Sequence, residues 1–421
     1  MNPFKVVFFL LAALTVTNTL TAQDTTQYII PGRINSAEQQ QKPYVVLISI
    51  DGFRHDLTDK YNAAFLKEMR EAGVQAPSMR PCFPSLTFPN HYSIITGLYP
   101  SHHGLVDNSF YDAQKNAYYK VSDKKAVEAA DWYGGEPLWV LAEKQKMVTA
   151  SFYWVGSESH IAGIPPTYYY KYNEVLSIDR RVAVLNEWLQ KPAATRPHLI
   201  TFYFPQVDHE EHLHGVDAKE TEQAVHLVDD AIRKMAVACK ATGLPVNFVV
   251  VSDHGFANLD TTKIIPVKQV MELIDTSLFR IAGGGTMIHL YAKNKKNIRP
   301  AYKALKNQTG FKAWLVNKTP RSWMYRKRND RYNRIGDIIL TCAPPRNFYF
   351  GGRKSLGAHG FDNRLPEMQA TFYAWGPAFR EHYKIQSFKN IDVYPMLARL
   401  LGLKMEQPVD GSKKRLQKIL K

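Results

Sequence analysis

The sequence predicts an α/β fold with a layered, mostly parallel central sheet, and three observations lead there. First, the runs YVVLISI (44–50), HLITFYF (198–204) and NFVVV (247–251) are continuously apolar and β-rich. Runs of this kind suit central strands buried on both faces. Second, helical patterns lie between them, at AAFLKEMREAG (63–73), EPLWVLAEKQK (136–146), IDRRVAVLNEWLQK (178–191) and TEQAVHLVDDAIRKMAVACKATG (221–243). Alternating strands and helices build parallel sheets flanked by helices. Third, each apolar run leads to an aspartate, namely Asp51, Asp208 and Asp253. Open α/β sheets bind ligands beyond the carboxyl ends of their strands, so a site is expected where these three meet. From about 255 to 355 the pattern loosens into Gly283-Gly284-Gly285, many basic residues and short strand candidates such as MIHLYA (287–292). This stretch reads as a smaller inserted capping region. The segment FKNIDVYPMLARLLGL (388–403) returns to an amphipathic helix.

At 421 residues, with 45% hydrophobic and 12% aromatic content, the chain has material for a large core. Disordered and fibrous classes are excluded. Residues 1–22 read as a signal peptide: Lys5 supplies a basic start, 6–16 an apolar stretch, and Ala22 a cleavage point. Residues 23–42 read as an N-terminal extension and 43–421 as the main domain. The expected destination is outside the cytoplasm, in a periplasm or the extracellular space. No later stretch is long enough to span a membrane. Cys82, Cys239 and Cys342 form no CxxC pattern, which leaves at most one disulfide and no thiolate metal site. The net charge is +16, densest in RSWMYRKRNDRYNR (321–334) and KKRLQKILK (413–421). Without an accompanying nucleic-acid motif these read as a solvated hairpin and a terminal helix. No specific nucleic-acid partner is expected.

Several residues carry metal chemistry. Asp208 and His212 are four apart, a spacing that places both on one face of a helical turn. Asp253 and His254 are adjacent at a strand end, and His359 lies between Gly357 and Gly360 in GAHGFDN. Imidazole and carboxylate together suit zinc where cysteine is scarce. Thr87 precedes a helical stretch at YSIITGL (92–98). A hydroxyl there can face an anion held by free backbone amides. Thr87 or Ser85 as a helix cap is the competing reading.

The motifs ISIDGFR (48–54), FPSLTFPNHYSIITGLYPSHHGLVDN (83–108), GEPLWVLAEKQ (135–145), FYWVGSE (152–158), SDHG (252–255) and GAHGFDN (357–363), with the Asp208–His212 pair, resemble the nucleotide pyrophosphatase/phosphodiesterase family of the alkaline phosphatase superfamily. The resemblance runs from about 43 to 411. It implies an alkaline-phosphatase-like core and two zinc ions per chain. One zinc would be held by Asp208, His212 and His359, the other by Asp51, Asp253 and His254 with Thr87. It also implies Thr87 as a covalent nucleophile and Asn108 as a donor to a phosphoryl oxygen. Phe88 and Tyr169 would sandwich a base, with Trp154 nearby; Tyr168 and Tyr170 are equally eligible if the loop shifts by one. The substrate would be a nucleotide or another small phosphodiester. The departures are Leu86 where many members carry Lys, Glu211 in place of Gly, and Phe256 in place of Met. They leave open diesters with choline or glycerol headgroups, and a non-catalytic polyanion-binding protein remains a third reading. His91, His102, His103, His209 and His214 carry no expected metal role.

Overall fold

The computed structural model describes residues 24–421, so the signal peptide expected at 1–22 lies outside the described residues. A nine-stranded sheet forms the frame. In chain order its strands are β1 (Gln27–Ile29), β2 (Tyr44–Ile50), β3 (Val74–Gln75), β4 (Thr149–Phe152), β5 (Tyr168–Tyr170), β6 (Leu199–Phe204), β7 (Val246–Val251), β8 (Phe372–Trp375) and β9 (Tyr383–Lys384). Across the sheet the order is β1-β5-β4-β6-β2-β7-β8-β3-β9. The five central strands, from β5 to β7, run parallel. Antiparallel pairings appear only towards the edges, at β1 and around β8.

Alternation along β2 explains the layers. Val46, Ile48 and Ile50 face the helices Ala64–Ala72, Ile178–Leu189 and Lys219–Ala241, through Leu66, Val184, Trp188, Val228 and Ile232. Val45 and Leu47 face the opposite side, where Thr87–Thr96, Leu138–Lys144 and Val393–Leu400 pack through Ile94, Ile95, Leu141 and Leu397. A strand covered on both faces has no polar side to show, which is why the run is uninterrupted.

The 255–355 stretch contains a four-stranded antiparallel sheet, ordered Phe279–Gly283, Met287–Ala292, Ile338–Cys342 and Phe311–Leu315. Ile288, Leu290, Ile338 and Leu340 bury against Leu305 in a separate apolar cluster. Met287, Ile339, Trp323 and Tyr325 join the main core. The insert is thus seated on the domain through its other face.

Several expectations change. The stretch read as an N-terminal extension contributes β1, which completes one edge of the central sheet through three paired positions. The helix expected around 92–98 begins at Thr87, with Pro89 inside its first turn. A proline is tolerated there since that N–H has no intrahelical partner. The 321–334 stretch is not a solvated hairpin. Arg334 is buried against Asp112 (2.8 Å) and the carbonyls of Gly104 and Trp132. The 413–421 tail forms a single 3₁₀ turn, Gln417–Ile419, rather than a helix. All three cysteines are free and buried.

Candidate active site

The register of β6, β2 and β7 sets the site. Ser49 pairs with Tyr203 on one side and Val251 on the other, so the three strands end together. Asp51 follows β2 directly, Ser252-Asp253-His254 follows β7, and the helix Gln206–His214 starts two residues after β6. The Asp208 N–H donates to the Asp51 carbonyl (3.2 Å), tying that helix to the end of β2. Gly52 is required between them: its φ is +73°, and a Cβ there would lie 2.8 Å from Glu211 Oε2.

Two groups of ligand-type atoms result. Asp51, Asp253 and His254 form one, and Asp208, His254 and His359 the other, with the atoms in each within 4.8 Å of one another. His254 and His359 stack with centroids 3.7 Å apart. His212 Nε2 stands 3.6 Å from Asp208 Oδ2, outside the two tight groups but on the same carboxylate. The grouping differs from the expected partition in two respects: His254 belongs to both groups, and His212 stands just outside the one it was expected to join.

Each imidazole is oriented by its other nitrogen. Nδ1 of His359 lies 3.0 Å from the Ser85 carbonyl, that of His254 3.1 Å from the Gly255 carbonyl, and that of His212 3.3 Å from Ser355 Oγ. A carbonyl partner requires Nδ1–H, which leaves Nε2 as the free lone pair. The carboxylates behave alike. Asp51 Oδ2 accepts from Tyr203 OH (2.6 Å) and Asp253 Oδ1 from Gly52 N–H (3.3 Å). Asp51 Oδ1 and Asp208 Oδ1 are buried without a hydrogen bond, and Asp253 Oδ2 lies 2.9 Å from His254 Nε2. Buried oxygens of this kind need a cation, so the residues fit a metal centre.

Electrostatics agree. Burial, then the Asp253 and Asp208 charges, hold Asp51 well above the usual carboxylate range. Burial also raises Asp208, against the pull of His212 and His254. Burial disfavours the Asp253 charge too, yet His254 and His91 overcome it and hold that carboxyl well below its usual range. His359 is pushed far down by burial and by His254 and His212, which keeps it neutral and able to ligate. A divalent cation would supply the positive charge that this set of carboxylates lacks.

Thr87 is the first residue of its helix, and Leu86 before it makes no side-chain cap. Ser85 Oγ is turned away to the Phe361 carbonyl (3.2 Å). Thr87 Oγ1 points at the centre, 3.3 Å from His254 Nε2, so neither hydroxyl caps the helix. Asn108 Oδ1 accepts from the Phe88 N–H (3.1 Å), which fixes the amide and leaves its NH₂ as a donor beside this turn.

A cavity of about 310 Å³ opens beside Thr87, with Phe88, Trp154, Tyr153, Tyr172 and Tyr203 among its walls. Tyr169 is not among them. It alternates to the other face of β5, buried against Tyr28 (centroids 5.0 Å) and bonded to His160 (2.9 Å). From this run the cavity is reached by Tyr170, at the strand end and buried, and by the more exposed Tyr172 beyond it. Alternation in the run YYYKYN, counted from a strand ending at Tyr170, was the signal for it.

Reading the residues one at a time also missed three neighbours. His91, one helical turn after Thr87, is fully buried. Its Nδ1 lies 3.0 Å from the Thr87 carbonyl and 3.3 Å from Asp253 Oδ2, and its Nε2 2.8 Å from Ser49 Oγ. The i, i+4 spacing from Thr87 was legible. Tyr203 carried no such signal, and Phe256 was marked only as a departure from the family's motif. Phe256 places its ring edge-on to His212 (4.7 Å).

The type I phosphodiesterase/nucleotide pyrophosphatase model matches residues 45–362. Ectonucleotide pyrophosphatase/phosphodiesterase family member 1 from Rattus norvegicus is 31% identical over 396 residues, covering 90% of this chain and 43% of the relative. Venom phosphodiesterase 2 from Crotalus adamanteus is 31% identical over 393 residues, covering 91% and 48%. The chain thus spans less than half the length of these curated relatives. Among solved structures, murine ectonucleotide pyrophosphatase/phosphodiesterase 5 superimposes with a TM-score of 0.83 at 26% identity, over 90% of this chain and 100% of that one. Its inactive threonine-to-alanine variant in complex with AMP gives 0.84 at 25%, over 90% and 100%. The fold is that of these α/β enzymes, with the candidate metal centre at the carboxyl edge of the sheet. The chain belongs to the type I phosphodiesterase/nucleotide pyrophosphatase family.

Proposed function

We propose that the protein hydrolyses phosphodiester or pyrophosphate bonds of nucleotides through a phosphothreonine on Thr87, releasing a nucleoside monophosphate. The observation that carries this reading is Thr87 Oγ1, aimed from a helix start into a cluster of buried carboxylates and imidazoles. Asp208, His212 and His359 would hold one zinc, and Asp51, Asp253 and His254, with Thr87, the other. When bound, two such ions lower the pKa of a coordinated hydroxyl or water and stabilise charge on the entering and leaving oxygens.

Thr87 Oγ attacks phosphorus. The Thr87 hydroxyl gives up its proton to solvent, the Thr–O–P bond forms as the bond to the leaving oxygen breaks, and where that oxygen is an alkoxide it takes a proton from solvent in turn. Water then cleaves the ester, returning the hydroxyl to Thr87 and phosphate charge to the product. The Asn108 amide donates to a non-bridging oxygen, a contact typically worth about 3 kcal/mol of barrier. Phe88, Tyr172 and Trp154 offer aromatic faces to the base, whose stacking is indifferent to its identity. The AMP bound by the murine relative's variant supports a nucleotide over a choline or glycerol diester.

Export to a periplasm or the extracellular space belongs to the same proposal, supported by the apolar run at 6–16. Among the described residues no helix is long and apolar enough to cross a membrane.

The test is Thr87→Ala. Turnover of a dinucleotide or nucleoside triphosphate is expected to fall by orders of magnitude while metal content and melting temperature hold. Thr87→Ser is expected to recover part of the rate. Near-normal turnover in Thr87→Ala overturns the assignment. A substrate panel that adds glycerophosphocholine and a phosphomonoester reads the specificity.

A further inference from the structure

The basic tail at 413–421 is not absorbed by this chemistry, and the fold gives it a definite place. Leu416 and Ile419 are buried in the main core. Arg380 N–H donates to the Ile419 carbonyl and Lys421 N–H to that of Ala378, both at 2.9 Å. The main chain of the tail is therefore docked, and its exposed cations project from a fixed backbone.

Lys414, Arg415 and Lys418 line one side of a cleft of about 510 Å³. Arg80 and Lys389 line the other. These two sit directly opposite each other in a two-stranded parallel pairing, Phe388–Lys389 with Met79–Arg80. Like charges at facing positions oppose the pairing; Lys389 is turned to the Tyr99 hydroxyl (2.8 Å), a neutral partner that leaves its charge unpaired. Among the described residues none of the five cations forms an ion pair. Two acids share the lining, so the cleft sets five cations against two carboxylates. Asp410 is engaged by His102 Nδ1 (2.7 Å) and Tyr99 N–H (2.9 Å), and Asp392 accepts from Ser412 N–H (2.7 Å). Ser387 and Ser412 add hydroxyls to the lining.

We propose that this cleft binds a compact soluble anion bearing several phosphates. Five cations converging on a concave, protein-walled space focus a positive field there. Arginine and lysine donate charge-assisted hydrogen bonds to phosphate oxygens. The concavity favours a small clustered anion over a flat charged surface, whose headgroups would meet only the rim.

The test is calorimetric titration of the full chain with myo-inositol hexakisphosphate, a probe without a diester bond. Binding is expected, weakening as salt rises. The Arg80→Gln/Lys389→Gln/Arg415→Gln variant is expected to bind about tenfold or more weakly, with nucleotide diester hydrolysis unchanged. A second variant, Lys414→Gln/Lys418→Gln, touches only exposed tail positions and is expected to weaken binding in the same direction. Thr87→Ala is expected to bind as the wild type does. No binding to the wild type, or equal binding to both glutamine variants, overturns the proposal. So does loss of binding on chelation, which would assign the probe to the metal centre. Capture by phosphatidylglycerol vesicles that the variants abolish, without binding of the soluble probe, would make the surface a membrane contact and overturn it as well.

Discussion

Tyr172 and Tyr169 are three residues apart and face different tasks. Tyr172 is 43% exposed, and its ring sits 5.3 Å from Tyr153 at the wall of the cavity beside Thr87. Its N–H is held by Glu158 (3.2 Å) and its hydroxyl by Glu174 (2.6 Å), so the ring's position is set from both ends. Tyr169 is buried on the far face, packed on Tyr28. If Tyr172 stacks on the base, Tyr172→Ala raises KM for nucleotide substrates by a loss of roughly 1–3 kcal/mol. A small aryl phosphodiester that does not reach the ring is affected much less. Tyr169→Ala should instead lower the melting temperature and leave KM nearly unchanged. Steady-state kinetics on the two substrates, with thermal melts on both variants, separate the roles. Equal KM effects from the two tyrosines would remove the stacking assignment.

At the scale of elements, the helix Thr87–Thr96 carries both the nucleophile and His91, and a second histidine holds it from outside. His103, from the turn Pro100–His103, is completely buried. Its Nδ1 accepts from Leu105 N–H (3.2 Å), so its Nε2 carries the proton, 3.1 Å from the Pro89 carbonyl and 3.0 Å from Ser93 Oγ. That arrangement has room for one proton only. Burial, against the pull of the Pro89 carbonyl, lowers His103 from 6.5 to about 3. In the unfolded chain it titrates near its ordinary value. Between the two values the unfolded state holds a proton the native state refuses, so stability falls as pH drops. The slope attributable to this residue is about 1.4 kcal/mol per pH unit below its unfolded pKa, and it vanishes above. Denaturant midpoints across pH 5 to 8, as about-unit steps, check this. His103→Gln is expected to be less stable at neutral pH, with a shallower decline on acidification. An identical slope in that variant would assign the decline to other groups.

For the whole molecule, the candidate metal centre is also a structural joint. Its side chains come from the ends of β2 and β7, the helix after β6 and the 357–360 loop, which the insert touches where a Cβ on Gly360 would meet Thr286. Removing a cation from among Asp51, Asp208 and Asp253 leaves like charges crowded in a dry site, which destabilises the fold as well as the chemistry. Chelation is therefore expected to abolish hydrolysis and to lower the melting temperature, and zinc is expected to restore both. Elemental analysis is expected to find about two zincs per chain. A fully active metal-free preparation would defeat this reading.

The sequence by itself determined the strand-and-helix order, the three aspartates at strand ends and the motif residues that converge on the centre. These follow from local periodicity and from the rule that parallel strands deliver their ends to one edge. Tertiary structure decided what depends on direction and distance. His254 lies between the two groups because its ring stacks on His359, residues about a hundred positions apart in sequence. Tyr172 rather than Tyr169 enters the cavity because a strand alternates, and one residue of offset exchanges its faces. The N-terminal residues became an edge strand because β5 offered unpaired backbone groups, which carry no mark in the sequence of their partner. The basic tail acquired a cleft only when Leu416 and Ile419 found the core and brought its cations opposite Arg80 and Lys389, a juxtaposition made by packing and invisible to composition.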